Sequence, residues 1–402
     1  MQRYTRRQLL AGGAAVGVAG LSGCSAPVNP SGQQRTPTEN ETGSAPKETP
    51  ESDDDVEIDQ SELDPVDVRG AMYIPSRAYN TYQMWGDYDP DVIERDLGYA
   101  SNLELNSLRT WLSFELWEED EEDHEGALDH FLETADDYGI RPIIGLFEGV
   151  GRKPTRENLT DTDPRTATGV YSPGDEVLNN PSKWDGPRHF VKWFMDRYRD
   201  DDRMLAIEAM NEPGWWENKK RFTEAMFGVM GNHRGDVPLT VGSTSLANNV
   251  DYMDWGSDVV QFHYNFPSTH DQYRDLLGQA VSIERASSQP VYLTEWQRIR
   301  SGRGFASAIE GDEWQPNYSS VAPIVHQSGV GNYFWSLMVK PAYVPAQRKL
   351  GVISGVFHED GSVWSLDDAR SLKAMSGDDS FDAEERREWP EFAEEAEKAF
   401  RG

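Results

Sequence analysis

From residue 66 to about residue 375, short apolar runs alternate with longer stretches whose apolar positions recur every three or four residues. Runs of the first kind fit strands buried on both faces, and stretches of the second kind fit amphipathic helices with one side on a core. Regular alternation of the two implies a parallel sheet with helical crossovers. Strands are predicted at 68–74, 107–111, 142–147, 205–210, 239–242, 259–263, 291–294 and 332–337. Helices are predicted at 90–103, 125–138, 186–198 and 219–231. Eight such strands make an α/β fold of the (β/α)8 barrel class, with no internal repeat and no second domain. The longest connections, 148–185 and 297–319, follow the third and seventh strands. They leave the C-terminal ends of strands, the face on which barrel enzymes build their sites. Trp184, Trp314 and Tyr318 in these loops are expected as cleft walls. The acidic tail, 378–402, is expected as a surface helix anchored by Trp389 and Phe392.

The first 24 residues carry a different pattern. Thr5-Arg6-Arg7-Gln8-Leu9-Leu10 is a twin-arginine export pattern, and a small-residue apolar stretch follows it over 9–20. That stretch falls short of the ~20 apolar residues that a comfortable membrane span needs. It ends in Leu21-Ser22-Gly23-Cys24, similar to the lipobox of exported lipoproteins, so Cys24 is expected to carry a lipid anchor. Cys24 is also the only cysteine, which excludes a disulfide within the chain. Residues 25–64 are rich in Ser, Thr, Pro, Gly and acid, without hydrophobic periodicity, and read as a solvated linker. The expected organisation is therefore an export signal (1–24), a linker (25–64) and a barrel domain (65–402), anchored outside the cell through Cys24. Asn40, Asn158 and Asn317 begin Asn-X-Ser/Thr sequons, which makes them candidate glycosylation sites on an exported chain.

Charge changes the picture of partners. The chain has 70 Asp and Glu against 38 Lys and Arg, a formal net charge of −32. Such a charge repels nucleic acid and anionic membrane surfaces, so neither is an expected partner. Disorder is not the reading, because 13 Trp, 16 Tyr and 15 Phe supply ample apolar surface for a core. A carboxylate-rich, heavily hydrated shell is instead what a protein working in very high salt carries, where its self-repulsion is screened. A monomer is expected.

Two motifs carry the candidate chemistry. Met210-Asn211-Glu212-Pro213 stands at the end of the fourth predicted strand, and Leu293-Thr294-Glu295-Trp296 at the end of the seventh. Cleaving a glycosidic bond takes one carboxyl to protonate the leaving oxygen and another to attack the anomeric carbon. Opposing strand ends of a small barrel can hold two carboxyls about 5–5.5 Å apart, the spacing for retention through a covalent intermediate. Their pKa values must then differ, with the acid raised and the nucleophile ionised at the working pH.

On these motifs the chain resembles the clan A glycoside hydrolases, closest to the cellulase-like family 5 group. It also resembles cellulase-family glycosyl hydrolases in its opening block, which here runs from Tyr73 through Pro75, Ser76, Ala78, Asn80 and Gln83 to Met84-Trp85. The likeness spans roughly Val68 to Met375. It implies a retaining hydrolase of a β-linked glycan such as cellulose, β-mannan or xylan, with Glu212 as acid/base and Glu295 as nucleophile. By the same resemblance Asn211 bonds the 2-hydroxyl of the reacting sugar, Arg109 orients the nucleophile, and Trp335 is the platform on which the sugar stacks. His263 matches the histidine of the family's His-X-Tyr at the sixth strand. Asn265 stands where that tyrosine should be, and Tyr264 is expected to point to the other side of the strand.

Each of these residues also has a reason of its own. An arginine at a strand end is costly unless a carboxylate pairs with it. A tryptophan offers a flat apolar face to the C–H side of a pyranose. Glu148, directly after the third strand, is a candidate for binding a sugar hydroxyl or else an acid of the rim. Trp85, Trp117, Trp215, Trp216 and Trp296 on strand-end loops suit a polysaccharide cleft, which favours endo action on the glycan. Other chemistries lack their parts: there is no His-Glu-X-X-His helix, phosphate loop, dinucleotide glycine pattern or nucleophile-elbow serine. The eight histidines show no ligand spacing, so no catalytic metal and no cofactor are implied. A non-catalytic, lipid-tethered glycan-binding protein and a transglycosylase using the same carboxylates are the competing readings.

Overall fold

The computed structural model describes residues 58–401 apart from 215, 301–308, 310 and 312. The expectations for the export signal, for Cys24, for most of the linker and for Trp215 lie outside the described residues.

Eight strands form one sheet: β1 (Arg69–Met72), β2 (Ser107–Trp111), β3 (Ile143–Glu148), β4 (Ala206–Asn211), β5 (Leu239–Gly242), β6 (Val260–Tyr264), β7 (Val291–Trp296) and β8 (Gly331–Phe334). Their order is β5-β4-β3-β2-β1-β8-β7-β6, and all seven ladders are parallel. No ladder joins β5 to β6, but other bonds bridge that seam. Asp258 N donates to Leu239 O and Leu239 N to the Asp258 carboxylate, each at 2.8 Å. Thr240 Oγ1 donates to Val259 O at 2.9 Å and receives Gln261 Nε2 at 3.1 Å. The ring is thus a nearly closed (β/α)8, or TIM, barrel.

Each strand is followed by a crossover helix, α1 (Pro90–Asn102), α2 (Glu121–Asp137), α3 (Asp185–Tyr198), α4 (Glu217–Asn232), α5 (Asn249–Trp255), α6 (His270–Ser287), α7 (Ala322–Ser328) and α8 (Leu366–Lys373), with further short helices in the loops after β1, β2, β3 and β8. Local chemistry starts several of them. Asp89 caps α1, with Pro90 in the first turn, and Asp120, Thr269 and Ser365 cap α2, α6 and α8. Each supplies a side-chain oxygen to an otherwise unpaired backbone N–H. None of the helices in the described residues is long and apolar enough to cross a membrane.

Inside the barrel the packing is partly polar, and glycines make room for it. A Cβ on Gly145 would lie 2.2 Å from the Trp111 ring, and one on Gly242 would lie 2.5 Å from Arg109 Nη2 and 2.6 Å from Glu208 Oε1. Breaks in register between Glu208 and Asn211 and between Leu293 and Trp296 let β4 and β7 re-aim side chains near their ends.

Two expectations are corrected. The tail is not one helix: an irregular stretch leads to buried Trp389, and only Glu394–Arg401 is α-helical. Trp184 is no cleft wall. It is buried edge-on against Phe222 of α4, with its indole N–H on Val177 O at 3.0 Å. The connection after β8 also proves to be a site loop, folding back through a short antiparallel pair, β9 (Lys340–Pro341) with β10 (Ile353–Ser354).

Candidate active site

Arg109 is the hub of the barrel's C-terminal mouth. Its guanidinium is fully buried, and each of its five N–H groups has an acceptor. Nε and Nη2 grip the two oxygens of Glu208 at 2.7 Å each, and Nη2 also donates to Asn211 Oδ1 at 2.7 Å. Nη1 reaches Glu295 Oε1 at 3.1 Å and Met72 Sδ at 3.5 Å. Burial alone would lower the Arg109 pKa, but Glu208, Glu295 and Glu148 outweigh it and hold the group charged. Since arginine can only donate, it fixes the Asn211 amide: the oxygen faces Arg109, and Nδ2 is turned to Glu148 Oε1 at 2.8 Å.

Glu212 follows β4 in a left-handed backbone conformation, φ +42°, and Gly214 beyond Pro213 is at φ +58°. For a residue other than glycine this costs on the order of 1–3 kcal/mol and marks a turn held by its surroundings. The Glu212 amide donates to Gly242 O at 2.8 Å. The turn carries the carboxyl to His263, whose Nδ1 lies 2.5 Å from Glu212 Oε1 and 3.6 Å from Glu295 Oε2. One ligand atom from each of Glu212, His263 and Glu295 lies within 4.8 Å of the others. Two carboxylates and an imidazole are also a donor set that divalent ions use. Here the Arg109 guanidinium, bonded to Glu295, already supplies the counter-charge and opposes a second cation.

The three carboxyls of the mouth are set apart by their surroundings. Burial pushes Glu212 up, but His263, Arg109 and Lys219 outweigh it, and the group sits below its ordinary value. Burial and the Glu212 charge hold Glu295 above its ordinary value against His263, Arg109 and the bond from Asn265. Burial raises Glu148 well above the carboxylate range, and the charges of Glu295 and Glu212 add to it, against the bonds from Asn211 and from Val150 N. This order for Glu212 and Glu295 is the reverse of the expected one, because His263 stands on the acid side of the pair.

The expected site residues meet with one exception. Glu212, Glu295, Arg109, Asn211, His263 and Glu148 form the continuous network just described. Trp335 is half-buried beside them, 6.3 Å from Trp111 and edge-on to Tyr343 at 5.2 Å, ring to ring. Tyr318, expected as a wall, instead lies buried behind it, donating to Trp335 O and receiving Ser336 N at 3.0 Å and Gly355 N at 2.9 Å. Trp296 is the exception. One residue past the inward Glu295, it faces outward, fully buried, with its indole N–H on Asn332 Oδ1 at 2.9 Å. Trp85 and Trp117 are likewise core residues, whereas Trp216 is 54% exposed.

Sequence reasoning missed Glu208 and Gln261, which buttress Arg109, Gln261 Nε2 donating to Glu208 Oε2 at 3.0 Å. An acid inside the apolar run Ala206-Ile207-Glu208-Ala209-Met210 was the available signal, since a buried carboxylate demands a cation. Asn265 also gains a role: its Nδ2 donates to Glu295 Oε2 at 3.1 Å, so it supplies the nucleophile with a hydrogen bond itself. Tyr264 packs against Tyr273, away from the site.

No protein-family model matches the chain, and no curated protein matches it. Among solved structures, the fold is similar to that of the exo-β-1,4-mannosidase Op5Man5 from Opitutaceae bacterium strain TAV5, with a TM-score of 0.54 and 16% identity over 80% of this chain. The chain spans 62% of the length of that protein. It is similar as well to GH5_18 from Streptomyces cattleya, solved in complex with GlcNAc, with a TM-score of 0.51, 12% identity, and coverage of 81% of this chain and 83% of that one. At these identities the likeness establishes the barrel fold.

Proposed function

We propose that this chain is a retaining glycoside hydrolase of a β-linked glycan, with Glu212 as acid/base and Glu295 as nucleophile. The observation that carries the reading is the approach of one oxygen from each carboxyl to within 4.8 Å, with an arginine and an asparagine on Glu295 and a histidine on Glu212. Retaining enzymes hold their carboxyls about 5–5.5 Å apart, whereas inverting ones leave about 6.5–9.5 Å for a water. The name of Op5Man5 and the GlcNAc bound to GH5_18 support a β-linked hexoside, with the β-mannan type leading over cellulose and xylan. Burial of Trp85, Trp117 and Trp296 removes much of the aromatic argument for a long polysaccharide cleft, and of that set Trp216 is the one left exposed among the described residues.

In this reading Glu295 attacks the anomeric carbon while Glu212 gives its proton to the leaving oxygen. Arg109 and Asn265 keep the attacking oxygens ionised and aimed. The acid must be neutral when substrate is bound, yet in the free site His263 favours its ionised form. Glu212 is the more exposed of the pair, 22% against 7% for the side chains, so a bound sugar desolvates it most. Desolvation disfavours the charged form, so a bound sugar raises the Glu212 pKa and favours its protonated state. In the second half-reaction Glu212 takes a proton from water, which attacks the glycosyl ester and releases the sugar with its β configuration kept. A sugar hydroxyl in place of that water gives transglycosylation by the same residues. The non-catalytic reading draws only on Asn265 standing where the family has a tyrosine, and Asn265 itself donates to the nucleophile. Export by the twin-arginine route and lipid attachment at Cys24 belong to this proposal and rest on the N-terminal motifs.

The test is turnover of β-mannan, cellulose, xylan and aryl β-glycosides in multimolar salt by wild type, Glu212→Ala and Glu295→Ala. Turnover of one glycan class by wild type, lost in Glu295→Ala, is the expected result. No turnover of any β-glycan, or full activity in Glu295→Ala, overturns the assignment.

A further inference from the structure

Among the polar groups of the mouth, Glu148 has no part in the double displacement. It ends β3 and pairs in register with Asn211 of β4. Only 8% of the residue is exposed. Oε1 is saturated by Asn211 Nδ2 at 2.8 Å and Val150 N at 2.7 Å. Oε2 has no hydrogen-bond partner among the described residues. A buried carboxyl is costly unless its oxygens are satisfied, so a half-satisfied one at the mouth of a cleft is fitted to a group that arrives with the ligand.

The network also says which part of the ligand meets it. Glu295 and Asn211 are neighbours on one guanidinium, Arg109 Nη1 on the first and Nη2 on the second. Glu148 lies on the far side of Asn211 from that guanidinium. With Glu295 at C1 of the reacting sugar, the row Glu295, Asn211, Glu148 runs along the ring toward C2 and C3. Asn211 has spent its oxygen on Arg109 and one amide hydrogen on Glu148, so a single N–H is left for the sugar. One N–H cannot read both hydroxyls of a vicinal pair, and the free Glu148 oxygen completes the set.

We propose that Glu148 is a specificity residue whose Oε2 binds the C3 hydroxyl of the sugar undergoing cleavage, beside Asn211 on the C2 hydroxyl. This rests on the glycosidase reading above. Burial raises the Glu148 pKa, and Oε2 can pair with the hydroxyl in either protonation state, accepting its hydrogen or donating to its oxygen. A sugar lacking that hydroxyl leaves a buried polar group unpaired, which is where sites of this kind discriminate most strongly.

The experiment measures kcat/KM for an aryl β-glycoside that wild type turns over, beside its 3-deoxy and 2-deoxy analogues, in wild type, Glu148→Ala and Glu148→Gln. In wild type the 3-deoxy substrate is expected to lose on the order of a hundredfold, the worth of one buried hydrogen bond. In Glu148→Ala that penalty is expected to shrink to a few-fold, while the 2-deoxy penalty, read by Asn211, stays. Glu148→Gln keeps an acceptor for Asn211 and Val150 and puts an amide donor in place of Oε2, so it is expected to retain the 3-deoxy penalty. It also carries the comparison if Glu148→Ala is too unstable to assay. A purely structural Glu148 would lower all three rates together and leave the penalties as in wild type, and that result overturns the proposal. Absence of turnover in wild type would sink the glycosidase reading itself, a different failure.

Discussion

Glu208→Gln changes one atom at the bottom of the site and separates the network that holds Arg109 from the residues that touch sugar. The Glu208 carboxylate is fully buried and accepts from Arg109 Nε and Nη2 at 2.7 Å, Gln261 Nε2 at 3.0 Å and Trp111 Nε1 at 3.2 Å. A glutamine there keeps one carbonyl oxygen and turns its amide toward a donor, leaving at least one buried N–H of the arginine or of Gln261 without an acceptor. A hydrogen bond to a charged group is worth about 1.5–3 kcal/mol, and breaking a buried ion pair by removing one partner costs about 3–5 kcal/mol. These overlap, so the expected loss of stability is about 3–5 kcal/mol. With an unfolding entropy near 2.1 cal/mol/K per residue over ~340 residues, Tm falls by roughly 4–7 °C. A second effect follows at Glu295. The Arg109 charge, no longer shared with Glu208, acts more fully on the nucleophile and lowers its pKa, so the alkaline limb of kcat/KM, which the higher-titrating Glu295 sets, moves to lower pH. Thermal unfolding and a pH–rate profile, at one fixed high salt concentration, read both effects. A variant with wild-type Tm and an unmoved alkaline limb would refute this account of the hub.

Gly242→Ala puts a methyl group 2.5 Å from Arg109 Nη2 and 2.6 Å from Glu208 Oε1, with no flexible neighbour to yield. Activity is expected to fall at least tenfold, with a Tm loss, and a wild-type kcat would show that the hub tolerates displacement. Activity is also expected to follow a bell in pH. In the free site Glu212 sits below its ordinary value and Glu295 above, so the pair loses its last proton through Glu295, and the alkaline limb of kcat/KM lies above the ordinary carboxylate range. That limb is expected at still higher pH in kcat than in kcat/KM, because a bound sugar desolvates Glu212 and raises it; coincident limbs would contradict that. Asn265→Ala removes the donor on Glu295 Oε2 and raises the nucleophile further, so it is expected to move the alkaline limb of kcat/KM upward and cut the rate roughly tenfold, about 1.4 kcal/mol. An unmoved limb would leave Asn265 without the role given to it here.

The barrel was legible because its strands are apolar on both faces and its helices on one, patterns that burial imposes on any sequence with this fold. β2 and β5 have the predicted bounds, and other strands shift by up to three residues at an end. Glu212 and Glu295 were legible because each stands next to a distinctive neighbour where an apolar run stops. What was not legible depends on inside and outside. Trp296 reads as a cleft aromatic by its place after Glu295, yet successive residues of a strand face opposite ways, and it went into the core. Glu208 was hidden for the converse reason: among 70 acids, nothing in one dimension marks the one aimed at Arg109. The loop that carries Tyr343 beside Trp335 was invisible, because β9 and β10 are two residues each and leave no periodicity to find.

The most direct test of the two-carboxylate account is azide rescue of the alanine variants on an activated aryl β-glycoside, with the anomer of the product read by NMR. In Glu295→Ala, azide takes the place of the nucleophile and is expected to yield the α-glycosyl azide. In Glu212→Ala, azide intercepts the glycosyl enzyme and is expected to yield the β-glycosyl azide. Exchanged anomers between the two variants would mean that the roles of Glu212 and Glu295 are reversed, and no rescue in either would contradict the double displacement itself.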